Sequence, residues 1–273
     1  MDTRALHAAN SAAWNEAAQR YAQEVEEDVA FLRAGGKNLM APELRILHDL
    51  ANWCQRAIHL QCAGGRDTLS LWNQGAAEVV GVDISDQMIA CARRKAAALD
   101  APATWYCCDL LDTPHELDGT ADLVYTGRGA INWIMDIAAW ARVAARLLKP
   151  GGRLYVFEGH PISSILDPQA SELRLDPDPN FGDYFATGLG VSKGWPTEYI
   201  PPESVPPVED QSFKYERHWT LADILNALIA AGLLLECFEE YPDQYWDQLP
   251  NLPKTVADKL PHTFSLLLRK PYS

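Results

Sequence analysis

The sequence predicts an α/β fold: a doubly wound, mostly parallel seven-stranded sheet with N-terminal lid helices and an inserted Pro/aromatic-rich cap. Three observations carry that prediction. Short apolar runs alternate with helix-period stretches between residues 57 and 158. The run Ala57–Leu60 ends in Gln61-Cys62-Ala63-Gly64-Gly65, and the run Val79-Val80-Gly81-Val82 stops at Asp83. A proline-dense region, 161–211, then interrupts the pattern before it resumes.

The first element is helix over 5–33, ended by Gly35-Gly36, with Trp14, Ala18, Tyr21, Val25 and Leu32 on or near one face. That stripe suits core packing, or a lid in which Trp14 and Tyr21 fold over a ligand. Pro42 opens a second helix, Glu43 to Trp53, leading into the first strand. Residues 57–83 then read as strand, tight turn, helix, strand and acid, the opening of a nucleotide-binding βαβ unit. Glycines let the backbone approach a ligand, and Asp83 can accept hydrogen bonds from ribose hydroxyls. A tight turn in an ordinary α/β core fits the same residues.

Ser85 caps the next helix, whose apolar positions are Met88, Ile89, Ala92, Ala96 and Leu99. Strands follow at Thr104–Cys108, ending in Asp109, and at Ala121–Tyr125, leading into Thr126-Gly127-Arg128-Gly129. A helix over Trp133–Leu148 is stopped by Lys149-Pro150-Gly151-Gly152, and the strand Arg153–Glu158 runs out into Gly159-His160-Pro161. Four strand-then-helix repeats and a fifth strand make a parallel sheet, which binds ligands at the carboxyl ends of its strands. Runs such as Asp176-Pro177-Asp178-Pro179 exclude regular helix from 161–211, yet Tyr184, Phe185, Trp195 and Tyr199 argue for an ordered cap rather than a solvated linker. A helix at Thr220–Ala231 and strands at Leu233–Glu239 and His262–Arg269 complete the fold, separated by an aromatic loop, Tyr241–Pro253.

Net charge narrows the partners. With 37 acids against 23 bases, a charge of −14 opposes phosphate backbones and anionic membranes and favours a small-molecule substrate over nucleic acid. The six cysteines form no CxxC pair, which suits buried reduced thiols and no metal site. The opening MDTRALHAAN lacks the pattern of a signal peptide, and Leu225–Leu235 is too short to span a bilayer, so a cytoplasmic location is expected.

The order of motifs resembles the class I S-adenosylmethionine (SAM)-dependent methyltransferases over nearly the whole length, and in particular a branch whose first motif reads HLQC-x-x-G-x-DTL. Here that is His59 to Leu69, joined by GVDIS at Gly81–Ser85, Cys108–Asp112, LLKPGGRLYVFEGHP at Leu147–Pro161, Glu216–Pro242 and Pro261–Leu268. The resemblance implies one methyltransferase-like domain: lid helices over 1–50, a SAM-binding core over 51–160, a cap over 161–215 and the last helix and strands over 216–273. It implies that Gln61, Cys62, Ala63 and Gly64 present backbone to the methionine end of SAM, next to Asp67 and Thr68. Asp83 would hold the ribose diol, Ile84 and Met88 would pack on adenine, and Asp109 beside Leu110 would bind its amine. Thr126, Gly127 and Arg128 would line the methionine portion, with Tyr21 reaching over it. The chain departs from the usual glycines at Gln61 and Ala63, where a β-carbon narrows the room for backbone approach.

Methyl transfer is an in-line displacement that needs a base only if the acceptor must lose a proton. His160, just past the fifth strand, is the expected base, with a backbone-bonded structural His as the alternative. Glu158 is a second base, or a partner for Arg128, and His218 reads as structural. Trp14, Trp133, Tyr184, Phe185 and Trp195 are expected to wall the substrate. The expected activity is methyl transfer to a small molecule, giving S-adenosylhomocysteine (SAH). The alternatives are cyclisation of SAM to azetidine-2-carboxylate with release of methylthioadenosine, or non-catalytic SAM or SAH binding.

Overall fold

The computed structural model describes residues 2–197 and 199–272. Its centre is a seven-stranded sheet in the order β3-β2-β1-β4-β5-β9-β8. The strands are β1 (Arg56–Leu60), β2 (Glu78–Asp83), β3 (Ala103–Cys107), β4 (Ala121–Gly127), β5 (Leu148–Gly159), β8 (Leu234–Tyr241) and β9 (Thr263–Arg269). The first five are parallel, and β9 and β8 add antiparallel. Because β1 pairs with both β2 and β4, the chain reverses direction across the sheet at β1, and a crevice opens beyond its carboxyl end. Two short strands, β6 (Leu189–Ser192) and β7 (Lys214–Arg217), pair antiparallel in the predicted cap region.

Helices cover both faces. The longer ones are α1 (Thr3–Gln23), α2 (Val25–Arg33), α5 (Arg66–Asn73), α6 (Asp86–Leu99), α7 (Ile137–Leu147) and α8 (Leu221–Ala230), with short turns of helix at α3 (Ala41–Ile46), α4 (Leu50–Trp53) and α9 (Lys254–Ala257). On one face Trp140, Ala144 and Leu147 of α7 bury against Val124, Leu154 and Val156. On the other, Leu69 and Leu71 of α5 and Ile89 and Ala92 of α6 pack on Ala57, Val79 and Leu123. Strand residues thus face helices on both sides, which is why their sequence runs are continuously apolar rather than alternating.

Four expectations are corrected. The helix expected over 5–33 breaks at Glu24, whose ψ of −4° ends the first ladder and lets α2 turn toward α6. The helix expected over 43–53 is two short pieces separated by Asp49 at φ 55°. No α-helix joins β3 to β4: the connection is made by two 3-10 turns, Leu110–Asp112 and His115–Leu117. Of the six free cysteines only Cys54, Cys62 and Cys91 are buried, and Cys107 is exposed. Among the described residues no helix is long and apolar enough to cross a membrane.

Candidate active site

The turn after β1 answers the question raised by its missing glycines. Gln61 and Ala63 hold the left-handed backbone that glycine would adopt freely, at φ 57° and 45°. Each is tied down. The Gln61 amide donates to the Ala130 carbonyl at 2.9 Å, joining the β1 turn to the loop after β4. The Ala63 N–H donates to Asp83 Oδ2 at 2.8 Å, and the Ser85 N–H donates to Oδ1 at 2.9 Å. Burial pushes the Asp83 carboxyl up to about 6, although these backbone N–H groups pull it back. Each carboxylate oxygen keeps a second lone pair, and Gln61 Oε1 is buried without a hydrogen-bond partner.

These groups border a cavity of about 360 Å³, in the size range of ligand sites. Of the expected cofactor residues, Tyr21, Gln61, Cys62, Ala63, Gly64, Asp67, Asp83, Ile84, Met88, Asp109, Leu110, Gly127 and Arg128 line it. Thr68 and Thr126 do not. Thr68 lies behind the turn, its Oγ1 2.8 Å from His59 Nδ1, and Thr126 is wholly buried in the sheet. Strand periodicity explains the second correction: Thr126 alternates with Gly127, so only one of them can face the crevice.

The lid supplies what sequence reasoning missed. His7 Nε2 accepts from the Met135 N–H at 3.1 Å, so Nδ1 carries the proton that it gives to Asp109 Oδ2 at 2.7 Å. Arg4 lies 2.9 Å from the same oxygen, and Asp109 Oδ1 accepts from the Leu111 N–H. The carboxylate expected to meet adenine is thus largely held by α1, with one Oδ1 lone pair left over. At the opposite end, Arg128, left-handed at φ 61°, pairs with Asp67 at 2.8 Å and donates to the Asn38 carbonyl. Tyr21 meets Tyr199 hydroxyl to hydroxyl at 2.6 Å, bringing lid and cap together over the cavity. The spacing of α1 marked Tyr21, but nothing in it marked His7.

A second cavity of about 660 Å³ adjoins the first, with Trp14, Arg128, Gly129, Trp133, Tyr199, Tyr245 and Trp246 lining both. Trp14 packs on Trp133 at 5.3 Å and on Trp195 at 4.8 Å between ring centroids. Trp195 lines the larger chamber, as expected, but Tyr184 and Phe185 line neither. Tyr184 instead meets Phe185 and His218 edge to face, and Phe185 is 79% exposed. The aromatic loop over 241–253 supplies Tyr245 and Trp246 in their place.

His160 lines the larger chamber but is no free base. Its Nδ1 accepts from the Ile162 N–H at 3.1 Å, so Nε2 is protonated and donates to Glu240 at 2.8 Å. Both ring nitrogens are committed, and burial lowers its pKa. Glu158 does not pair with Arg128: its carboxylate accepts from the N–H groups of Gly129, Ala130 and Ile131, and burial pushes it up to about 7. It organises the loop between the two cavities. Among the described residues no cluster of three or more His, Cys, Asp or Glu is arranged to hold a metal ion.

A strand-end crevice with an acid closing β2 and an aromatic chamber beside it define a Rossmann-like ligand-binding fold. Residues 57–152 match the family model described as "Methyltransferase domain". The chain is 31% identical over 130 residues to the ubiquinone biosynthesis O-methyltransferase of Neisseria meningitidis, an alignment covering 41% of this chain and 52% of that protein. The chain therefore spans about half the length of the curated relative it matches. Its fold is similar to that of a SAM-dependent methyltransferase from Mesorhizobium loti, with a TM-score of 0.59 at 24% identity over 84% of this chain and 96% of that one. It is also similar to geranyl diphosphate C-methyltransferase from Streptomyces coelicolor A3(2), solved with Mg2+, a substrate analogue and SAH, with a TM-score of 0.54 at 14% identity over 84% of this chain and 76% of that one.

Proposed function

We propose that the chain is a SAM-dependent methyltransferase acting on a small-molecule acceptor. The observation that carries this reading is the pair of adjoining cavities, about 360 and 660 Å³, that share an aromatic wall. The smaller one has the donors and acceptors an adenosyl ligand needs: two spare lone pairs on Asp83 for a diol, apolar Ile84, Met88 and Leu110 for a base, and an orphaned Gln61 Oε1 at the methionine end. The methyltransferase-domain match over 57–152 and the proteins of similar fold solved with SAH or sinefungin support SAM as the occupant. SAM supplies an electrophilic methyl on a sulfonium. The chain's own work is to hold it and to align an acceptor: Trp14 and Trp133, at the junction, offer ring faces that suit a cation and exclude water.

A roomy second chamber is what an acceptor requires and what intramolecular cyclisation does not. We therefore rank methyl transfer above release of methylthioadenosine, and above a purely sensory role. Residues 161–215, which contribute Leu166, Phe181 and Trp195 to that chamber, act as its cap. Calorimetric titration tests the donor site. SAH should bind the wild-type protein, and Asp83→Ala should weaken it at least tenfold. Equal binding by both proteins, or by neither, would remove the assignment.

A further inference from the structure

Strand β7 brings two opposite charges to the wall of the larger chamber. Lys214 and Glu216 are two residues apart on one strand, so both side chains leave the same face, with backbone origins roughly 6.6 Å apart. Both line the larger chamber and neither lines the smaller one. Lys214 is only 5% exposed. Its ammonium donates to the Gly194 carbonyl and lies 4.2 Å from the centre of the Trp195 ring. Glu216 accepts one hydrogen bond, from the Asn132 amide to Oε1 at 2.5 Å, and its other oxygen has no such partner.

Among the described residues neither charge has an ion-pair partner within 4.0 Å, not even the other. Of the other charges around the chamber, some are ion-paired or held by several donors, and the rest, with one backbone partner each, are half-buried rather than buried like Lys214. Arg128 pairs with Asp67, and His160 pairs with Glu240. Glu158 sits in three backbone N–H groups. Asp176 caps the Asp178 N–H, Lys193 donates to the Glu209 carbonyl, and Arg217 donates to the Thr187 carbonyl. Among the described residues Lys214 and Glu216 are left as a buried cation and a half-buried anion side by side, each facing an aromatic cavity with donors or acceptors to spare. Burial lowers the pKa of the Lys214 ammonium and raises that of the Glu216 carboxyl, as expected of charges that lack partners. Charges of this kind are costly unless paired, and a ligand is the available partner.

We propose that the acceptor is a zwitterion: a small molecule with a flat apolar body that carries a carboxylate bound by Lys214 and an ammonium bound by Glu216. The separation along β7 suits two charged groups attached to one carbon, as in an α-amino acid. The indoles of Trp133, Trp195 and Trp219 then take the body and aim it at the junction with the smaller cavity. This inference rests on reading the larger chamber as the acceptor site.

The test uses three probes with one p-hydroxyphenyl body, titrated into the full-length protein saturated with SAH: tyrosine, tyramine and 3-(4-hydroxyphenyl)propionate. Tyrosine should bind at least tenfold more tightly than either singly charged probe. Lys214→Met should abolish its advantage over tyramine, and Glu216→Gln its advantage over the propionate, with SAH affinity unchanged in both. Tyrosine binding no more tightly than the singly charged probes, or none of the three binding while SAH still does, would overturn the inference and leave the methyltransferase reading standing. So would variants that weaken all three probes equally, since that is the signature of lost packing. Failure of SAH itself to bind would instead strike the underlying function. The comparison among probes on the wild-type protein decides the matter even if a variant does not fold.

Discussion

Asp83 links chemistry to pH more directly than any other residue. Its carboxyl is raised to about 6 by burial, and the ionised form, with no proton of its own to place, accepts two ligand hydroxyls more strongly than the neutral one. SAH should therefore bind with full affinity well above pH 6 and weaken by up to tenfold per pH unit below it, with proton release on binding around pH 6. Titrations between pH 5 and pH 8 in buffers of different ionisation enthalpy would check both; a flat profile would place the diol elsewhere. Ala63 offers a second test. Left-handed backbone costs a non-glycine residue roughly 1 kcal/mol, so Ala63→Gly should raise thermal stability by up to about 1 kcal/mol while loosening the N–H that clamps Asp83. At this scale the sequence was legible where chemistry follows the chain: Asp83, Gln61 and Arg128 all sit at strand ends, where the alternation of strand and helix puts them. At His160 the alternative of a backbone-bonded histidine fits Nδ1, which accepts from the Ile162 N–H, but the bond to Glu240, eighty residues away, was not legible.

Among the elements, the lid helices are bound to the core by charge as well as by packing. Lys95 of α6 is fully buried and meets Asp28 of α2 at 2.5 Å, with Arg66 at 3.1 Å from the other oxygen. Removing Lys95 leaves the buried Asp28 carboxylate with Arg66 as its one remaining cation. Lys95→Met should destabilise the protein by roughly 3 kcal/mol, whereas adding Asp28→Leu should recover part of that loss. Urea denaturation of Lys95→Met, Asp28→Leu and the double change would show it, and a fully additive double change would mean that the pair does not act as a unit. The apolar stripe of α1 and α2 could be read from spacing, but this ion pair could not, since nothing local distinguishes Asp28 from its neighbours Glu26 and Glu27. The cap shows the same limit. Its aromatic content pointed to an ordered cover, and Trp195 lines the larger cavity. Tyr184 and Phe185 turned away because non-repetitive backbone carries no periodicity from which to infer facing.

Across the whole molecule, several carboxyls raised by burial shape the response to acid, Glu43 and Glu216 among them. Asp83 and Glu158 both have folded-state values raised above their unfolded ones, to about 6 and about 7. Each contributes stability that is complete below pH 4 and is lost as pH rises through 6 to 7, so these two groups favour the ligand-free fold on the acid side. A donor that hydrogen-bonds ionised Asp83 opposes that trend, and the midpoint of thermal unfolding with saturating SAH should be displaced further upward at pH 8 than at pH 5. The layout sets two adjoining cavities at the strand-end crevice, with a shared wall that includes Trp14, Trp133 and Trp246. The most direct test of that layout is product analysis by mass spectrometry after incubating the protein with methyl-deuterated SAM and a mixture of small amphiphilic acceptors. SAH together with a deuteromethylated acceptor is the predicted result. Methylthioadenosine formed at the same rate with and without acceptors, and no labelled product, would contradict it.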